Sequence, residues 1–313
     1  MLLNEEQQLV RDTMRAFARE RLAPNAARWD RESHFPRAEL AELGALGALG
    51  MVVPEEWDGA GADYVSLAVT MEEIAAGDGA TSTILSVQNS VVCGPLNAFG
   101  TDAQKERYLK PLARGEWLGC FCLTEPHVGS DAGAIATRAD RRGDRFVLNG
   151  VKQFITSGKN ADVAIVFAVT DKAAGKKGIS AFVVDTATPG YRVARVEEKL
   201  GLHGSPTCVV QFDHAEAFPL GPRGGGFRAM LDLMNLARLG VAAQAVGIAE
   251  TAYQAAAAHA ATRVQFGQAL IHHPLMTAML AAMRIDVSAA RAMPTDWAAM
   301  PMRPASRLER AIL

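Results

Sequence analysis

Cysteine is scarce: four in 313 residues, at Cys93, Cys120, Cys122 and Cys208. Cys120 and Cys122 lie two apart, so on a strand they share one face. Zinc needs further ligands in a second cluster, and none follows. No metal site is expected, and the four read as reduced, packed thiols of a cytoplasmic protein. An excess of either charge is also lacking, since 32 Lys and Arg face 34 Asp and Glu for a net charge of −2. Without a basic patch or tail, nucleic acid is excluded as a partner. Long apolar runs are missing too. The longest stretch free of Asp, Glu, Lys and Arg, Gly79 to Thr101, holds Gln88, Asn89, Pro95 and Asn97, which a membrane-spanning helix tolerates poorly. Met1-Leu2-Leu3-Asn4-Glu5-Glu6 puts two acids where an export signal needs basic residues. The expectation is a protein of the cytoplasm with no membrane partner.

What is present is an ordinary folding composition, 49% hydrophobic and 21% charged, in a chain long enough for more than one domain. Residues 1–116 read as helical. Asn4-Glu5-Glu6-Gln7 has the form of a capping box, with Val10, Met14, Phe17 and Ala18 following at helical spacing, and Pro24 is expected to close that helix. Pro36 to Gly50 and Asp63 to Ala76 read as further helices. Thr101-Asp102-Ala103-Gln104 reads as a second capping box, opening a short helix that ends near Pro111. Gly44, Gly47 and Gly50 follow no strand, so close helix packing explains them better than a nucleotide loop.

Residues 117–222 change character. Trp117–Thr124, Arg145–Leu148, Val151–Ile155, Val163–Val169, Ile179–Val184 and Cys208–Phe212 are short β-rich runs. Arg142-Gly143-Asp144 and Asn149-Gly150 lie between them as expected turns, the latter as a hairpin signal. The section reads as a small barrel or sandwich. From about Gly224 the helical pattern returns, with Phe227 to His259 and Leu275 to Ala292 as long helices. Helices, strands and helices in succession make a multi-domain α+β chain, not an alternating βαβ one.

The most informative segment is Phe121-Cys122-Leu123-Thr124-Glu125-Pro126-His127-Val128-Gly129-Ser130-Asp131. A β-run breaks there into a turn rich in hydrogen-bonding groups, and Gly129-Ser130 can form a small nest for anionic or carbonyl oxygens. Taken alone, these residues leave open an ordinary strand-to-loop exit.

The segment resembles the flavin-binding signature of the acyl-CoA dehydrogenases. Asn149-Gly150-Val151-Lys152-Gln153-Phe154-Ile155-Thr156-Ser157-Gly158 resembles the family's second flavin segment, and Lys199 to Thr207 the loop before its last barrel strand. Arg238 to Gly247 and Arg263-Val264-Gln265-Phe266-Gly267 resemble its C-terminal helices. The resemblance implies an N-terminal helical domain over 1–116, a middle β-barrel over 117–222 and a C-terminal helical bundle from 223. It implies FAD, lined by Phe121, Leu123, Thr124, Gly129 and Ser130 and covered by Phe154, Ile155 and Thr156. Arg263 and Phe266 would reach the FAD of a neighbouring subunit, which implies a homo-oligomer. Ser130, Asn235 and Arg238 would lie towards an acyl-CoA substrate. The implied reaction is α,β-dehydrogenation: a carboxylate takes the α-proton, the β-hydrogen leaves as hydride to the flavin, and an electron-transfer flavoprotein takes the electrons.

No catalytic residue can be assigned. In part of the family the base directly precedes the helix Arg, and here that position is Ala237; the other family location, a Tyr-Glu-Gly-type loop near the C-terminus, has no counterpart after Ala292. Asn235 stands where many members carry Asp, and His273-Pro274 where many carry His-Gln. Pro294, Pro301 and Pro304 fall where the family continues helically, and a proline inside a helix costs about 3 kcal/mol. Residues 223–293 are therefore expected to be a partial bundle and 294–313 a non-family tail, from truncation or a frame shift near Met293. Glu309 reads as a surface helix end. The alternatives are a flavin- or acyl-CoA-binding protein without dehydrogenase activity, or an oxygen-using flavoenzyme of the acyl-CoA oxidase kind.

Overall fold

A computed structural model describes residues 3–299. Its first helix, α1 (Glu5–Phe17), starts on the expected capping box: Gln7 N–H donates to Asn4 Oδ1 at 2.8 Å and Asn4 N–H to Gln7 Oε1 at 3.0 Å. Pro24 does not close it. A π-helical turn at Ala18–Leu22 carries the chain straight into α2 (Ala23–Glu32), with Pro24 in the first turn. Proline cannot donate to the carbonyl four residues back, and its ring crowds that group. In the wider turn the Ala23 N–H instead reaches five residues back to Ala18 O, so the proline is accommodated without a break.

The same device recurs. After α3 (Arg37–Ala45), α4 (Tyr64–Gly77) and α5 (Gly79–Val87), the π-helical turn Gln88–Cys93 precedes α6 (Gly94–Phe99), which holds Pro95 in its first turn. The Thr101 capping box opens α7 (Asp102–Gln104), and the π-helical turn Lys105–Leu109 leads into α8 (Lys110–Ala113), which has Pro111 in its first turn and ends close to it, at Ala113. Gly44 and Gly50 serve packing: a Cβ on either would stand 2.5 Å from Arg114 O or 2.6 Å from Ala113 Cα.

The strands are β1 (Gly119–Cys122), β2 (Arg138–Arg142), β3 (Arg145–Thr156), β4 (Val163–Val169), β5 (Ile179–Asp185), β6 (Tyr191–Val196) and β7 (Thr207–Leu220). Pairing runs β4–β2–β3–β7–β5 and returns to β4, so the sheet closes into a barrel, with β1 added on β4 and β6 on β7. Asn149-Gly150 is not a hairpin. Both residues lie inside β3, which is continuous, and a register shift against β7 falls between Leu148 and Asn149. Gly150 has φ +156, and a Cβ there would meet Thr137 Oγ1 at 2.4 Å. The glycine therefore marks a close approach of backbones, not a chain reversal. Arg142-Gly143-Asp144 does turn, joining β2 to β3 with Gly143 at φ +67.

β4 is buried on both faces. Ala164, Val166 and Ala168 pack with Phe146, Leu148, Phe182 and Cys208, while Val163, Ile165 and Phe167 pack with Leu96, Leu109 and Leu233 from the helices. This explains its uninterrupted apolar run. All four cysteines are buried and free.

The C-terminal part is the helix α9 (Gly226–Thr262), a two-stranded hairpin of β8 (Val264–Gln265) and β9 (Gln268–Ala269), and α10 (Pro274–Ala299). α9 packs on α4, α5 and β5, and α10 on α9 and α4. Pro294 does not stop α10, which continues to Ala299 with the Pro294 side chain buried. Pro301, Pro304 and Glu309 lie outside the described residues. Among the described residues no helix is long and apolar enough to cross a membrane.

Candidate functional site

Two segments far apart in sequence meet where β1 ends. The Gln153 N–H donates to Thr124 O at 2.8 Å, joining the loop after β1 to β3. Around this bond gather most of the residues expected from the sequence. Phe121 is half-buried and makes an edge contact with Phe167, ring centroids 5.3 Å apart. Leu123 and Ile155 are buried supports. Thr124 and Thr156 are partly exposed, and neither hydroxyl has a hydrogen bond among the described residues. Gly129 and Ser130 are exposed on the loop, and a Cβ on Gly129 would meet nothing within 4 Å.

Phe154 is the most unusual of them. Lys152 pairs with Val210 and Ile155 with Cys208, so β3 carries one extra residue against β7 and bulges. At the bulge Phe154 adopts φ +61, and its ring is 60% exposed. A left-handed backbone is rare for a bulky residue and is retained where the surroundings enforce it. Ser157, at φ +59, has a buried hydroxyl without a partner among the described residues. An exposed aromatic face, two free threonine hydroxyls and an open glycine loop are what a planar heteroaromatic ring with polar edges requires. They fit an isoalloxazine.

Beneath these residues lies an ion pair that the sequence reading missed. Lys152 is fully buried, and its Nζ donates to Leu123 O and to Glu125 Oε1, both at 2.9 Å. Glu125 Oε1 also accepts from Thr137 N, and Oε2 from Ala136 N at 2.6 Å. Burial pushes the Glu125 carboxyl up, but the Lys152 charge and the two N–H bonds outweigh it and hold the group below its usual range. Burial lowers Lys152, with Glu125 opposing. The signal was available. Counting by two from Phe146 and Leu148 along β3 reaches Lys152, an inward position where a lone lysine needs a partner.

Asn235 and Arg238 are exposed neighbours on α9, with Arg238 Nη1 donating to Asn235 Oδ1 at 2.6 Å. Directly before each of them, Met234 and Ala237 lean on the apolar cluster that contains Leu123 and Val128, which brings this stretch of α9 to the barrel. Arg263 and Phe266 are not brought to it. They follow the far end of α9, about 40 Å from Asn235 at 1.5 Å per residue, and Phe266 is 96% exposed at φ +52. The loop from Lys199 to Ser205 is tied to α2: His203 N–H donates to Asp30 Oδ1 at 2.9 Å, and His203 Nδ1 lies 3.0 Å from the same oxygen. A cleft of about 1000 Å³ between α1, α4, α9 and α10 shares no residue with these segments. Among its charges, Arg15 pairs with Glu73, and Arg291 with Glu72 and Glu250. Among the described residues no group of His, Cys, Asp and Glu could hold a metal ion.

Three family models cover nearly the whole chain: acyl-CoA dehydrogenase N-terminal domain at residues 4–116, middle domain at 120–215 and C-terminal domain at 224–308. The chain belongs to the acyl-CoA dehydrogenase family. It is 43% identical over 294 residues to an acyl-CoA dehydrogenase of Bacillus subtilis (strain 168), covering 93% of this chain and 78% of that one. It is 42% identical over 292 residues to the mitochondrial short-chain specific acyl-CoA dehydrogenase of Homo sapiens, covering 92% and 71%. Among solved structures, butyryl-CoA dehydrogenase from Megasphaera elsdenii superposes with a TM-score of 0.93 at 37% identity, covering 95% of this chain and 80% of that one. Acyl-CoA dehydrogenases are FAD-dependent oxidoreductases, and the platform around Thr124 and Phe154 fits that cofactor.

Proposed function

We propose that this acyl-CoA dehydrogenase holds its FAD ring between the Thr124 loop and the Phe154 bulge, with a short-chain acyl-CoA thioester on the Asn235–Arg238 side. The observation that carries this reading is the Gln153–Thr124 backbone bond, which joins two segments that each end in groups without partners of their own. When bound, FAD supplies the two-electron acceptor for α,β-dehydrogenation. The chain's residues bind and orient. Thr124 and Thr156 offer hydroxyls to the polar edges of the ring, Phe154 and Phe121 give it apolar walls, and Gly129-Ser130 leaves room for backbone approach. Arg238, steadied by Asn235, presents a cation towards the CoA side. An electron-transfer flavoprotein takes the electrons, as the family resemblance implies. Arg263 and Phe266, about 40 Å along α9, serve the FAD of a second copy in a homo-oligomer.

The removal of the α-proton is where this chain departs. Ala237 precedes Arg238 and contributes only a methyl group to the apolar cluster. Asp232, one turn and a half earlier on α9, lies 3.7 Å from Arg228. We infer that the described residues bind flavin and thioester but place no carboxylate base directly before Arg238, a deficit of about 10²–10⁴ in rate. FAD titration followed by a flavin-reduction assay with a panel of acyl-CoA thioesters tests both parts. Binding without bleaching is expected. Rapid bleaching would overturn the missing base, and no uptake of FAD would overturn the flavin platform.

A further inference from the structure

The Lys152–Glu125 pair does more than close a gap in the core. A buried ion pair is weak evidence for stability, because desolvating two charges offsets their attraction and a well-packed apolar pair often does as well. Its placement is specific. Leu123 and Glu125, the two groups that Lys152 Nζ contacts, flank Thr124 on either side. Lys152 itself stands two residues before Phe154 and next to Gln153, whose N–H holds Thr124 O. Glu125 accepts from Ala136 and Thr137, which tethers the far end of the same loop, and Glu125 and Val128 exchange two backbone bonds that tighten the turn between. One ammonium group and one carboxylate thus fix the loop after β1, its return towards β2, and the start of the β3 bulge.

From this geometry we propose that Lys152 and Glu125 are the positioning residues of the flavin platform, fixing where the Thr124 loop stands against the Phe154 bulge. The proposal rests on the flavin reading above and adds to it what holds the two halves at the right spacing. Neither residue touches the cofactor. Their effect passes through Thr124 O, the Gln153 N–H and the left-handed Phe154. The pair acts as a spacer, so its length matters as well as its charge.

Two variants separate positioning from stability. Glu125→Gln/Lys152→Met removes both charges together, keeps side chains of similar length and leaves no unpaired buried ion. Glu125→Asp keeps both charges but shortens the strut by one carbon. Each is compared with the parent chain for thermal midpoint, FAD dissociation constant by fluorescence quenching, visible spectrum of the bound flavin, and amide exchange at Gln153 and Thr137 in the flavin-free protein. Positioning predicts that the double variant melts near the parent, while both variants bind FAD about 10–100-fold more weakly, show an altered flavin spectrum and exchange the Gln153 amide faster. Parent-like FAD affinity and spectrum in both variants would overturn the proposal, as would affinity losses that merely follow the melting temperature. A parent chain that takes up no FAD would defeat the flavin reading instead. The amide exchange then judges the pair alone, and unchanged protection at Gln153 would end the claim.

Discussion

Replacing Gly150 with alanine tests the account of the barrel directly, because two separate penalties meet at one position. The first is conformational. At φ +156 an L-residue is strained, which costs about 1–3 kcal/mol. The second is steric. The new Cβ would stand 2.4 Å from Thr137 Oγ1 and 2.8 Å from both Thr137 Cα and Cβ. Two of those atoms cannot swing aside, so the backbone just before β2 would have to shift, and overpacking of that kind costs about 1–3 kcal/mol. Alanine also narrows the unfolded ensemble, which returns about 0.4–1 kcal/mol. The net expectation is a loss of about 2–5 kcal/mol in urea unfolding. Thr137→Ala alone should cost about 1 kcal/mol, from the buried methyl group it removes, since its hydroxyl is buried without a partner among the described residues. Combined with Gly150→Ala it should restore less than half the loss, because Cα and Cβ of residue 137 remain in the way. A Gly150→Ala protein within 0.5 kcal/mol of the parent would refute the close-approach reading, and full rescue by Thr137→Ala would place the whole conflict on one hydroxyl.

Thr124→Val should weaken FAD retention by about 1–3 kcal/mol, the cost of an unpaired buried polar edge; unchanged flavin affinity in a folded variant would remove Thr124 from the site. Phe167→Ala should destabilise the chain by about 3–5 kcal/mol, since Phe167 is fully buried between barrel and helices and supports Phe121; a loss under 1 kcal/mol would contradict that packing. The tie between α2 and the Lys199–Ser205 loop should depend on pH. Asp30 raises the His203 pKa, with help from Lys199 O, so its contribution is complete below the unfolded value of about 6.5 and is lost as pH rises through the folded value. Amide exchange in residues 200–205 should therefore quicken with pH beyond its intrinsic dependence in the parent, whereas His203→Gln should show only the intrinsic rise.

Features fixed within a few residues could be read from the sequence. The Asn4 and Thr101 capping boxes form as expected because their partners lie three positions away. The continuous apolar runs of β4 and β5 were legible because each strand is enclosed on both faces. Features that depend on distant partners were not legible. Asn149-Gly150 has the composition of a turn, and only the proximity of Thr137 explains why it is a strand. β2 and β6 escaped notice because their charged, exposed sequences, Arg138-Ala139-Asp140-Arg141-Arg142 and Tyr191–Val196, resemble loops. Helices α5 and α6 were hidden by Gln88 and Asn89, polar side chains buried by bonds to the distant backbone groups Leu112 O and Ala48 O. The segments proposed to hold the flavin were singled out through resemblance, but the buried charge pair beneath them was not, since its two members stand 27 positions apart.

The prolines that follow the π-helical turns also constrain how the helical domain can change over time. Each turn holds one more residue than an α-helix of the same rise, and each proline, Pro24, Pro95 and Pro111, stands two residues after its turn ends. Deleting a single residue from the turn would restore α-helical spacing and leave the proline ring against a carbonyl four positions back. Replacing the proline alone would leave a wide turn with nothing to require it. The one-residue insertion and the proline are therefore a linked pair of mutations, easier to gain or lose together than singly. Related sequences should show the gap and the proline appearing and disappearing in step at these three places.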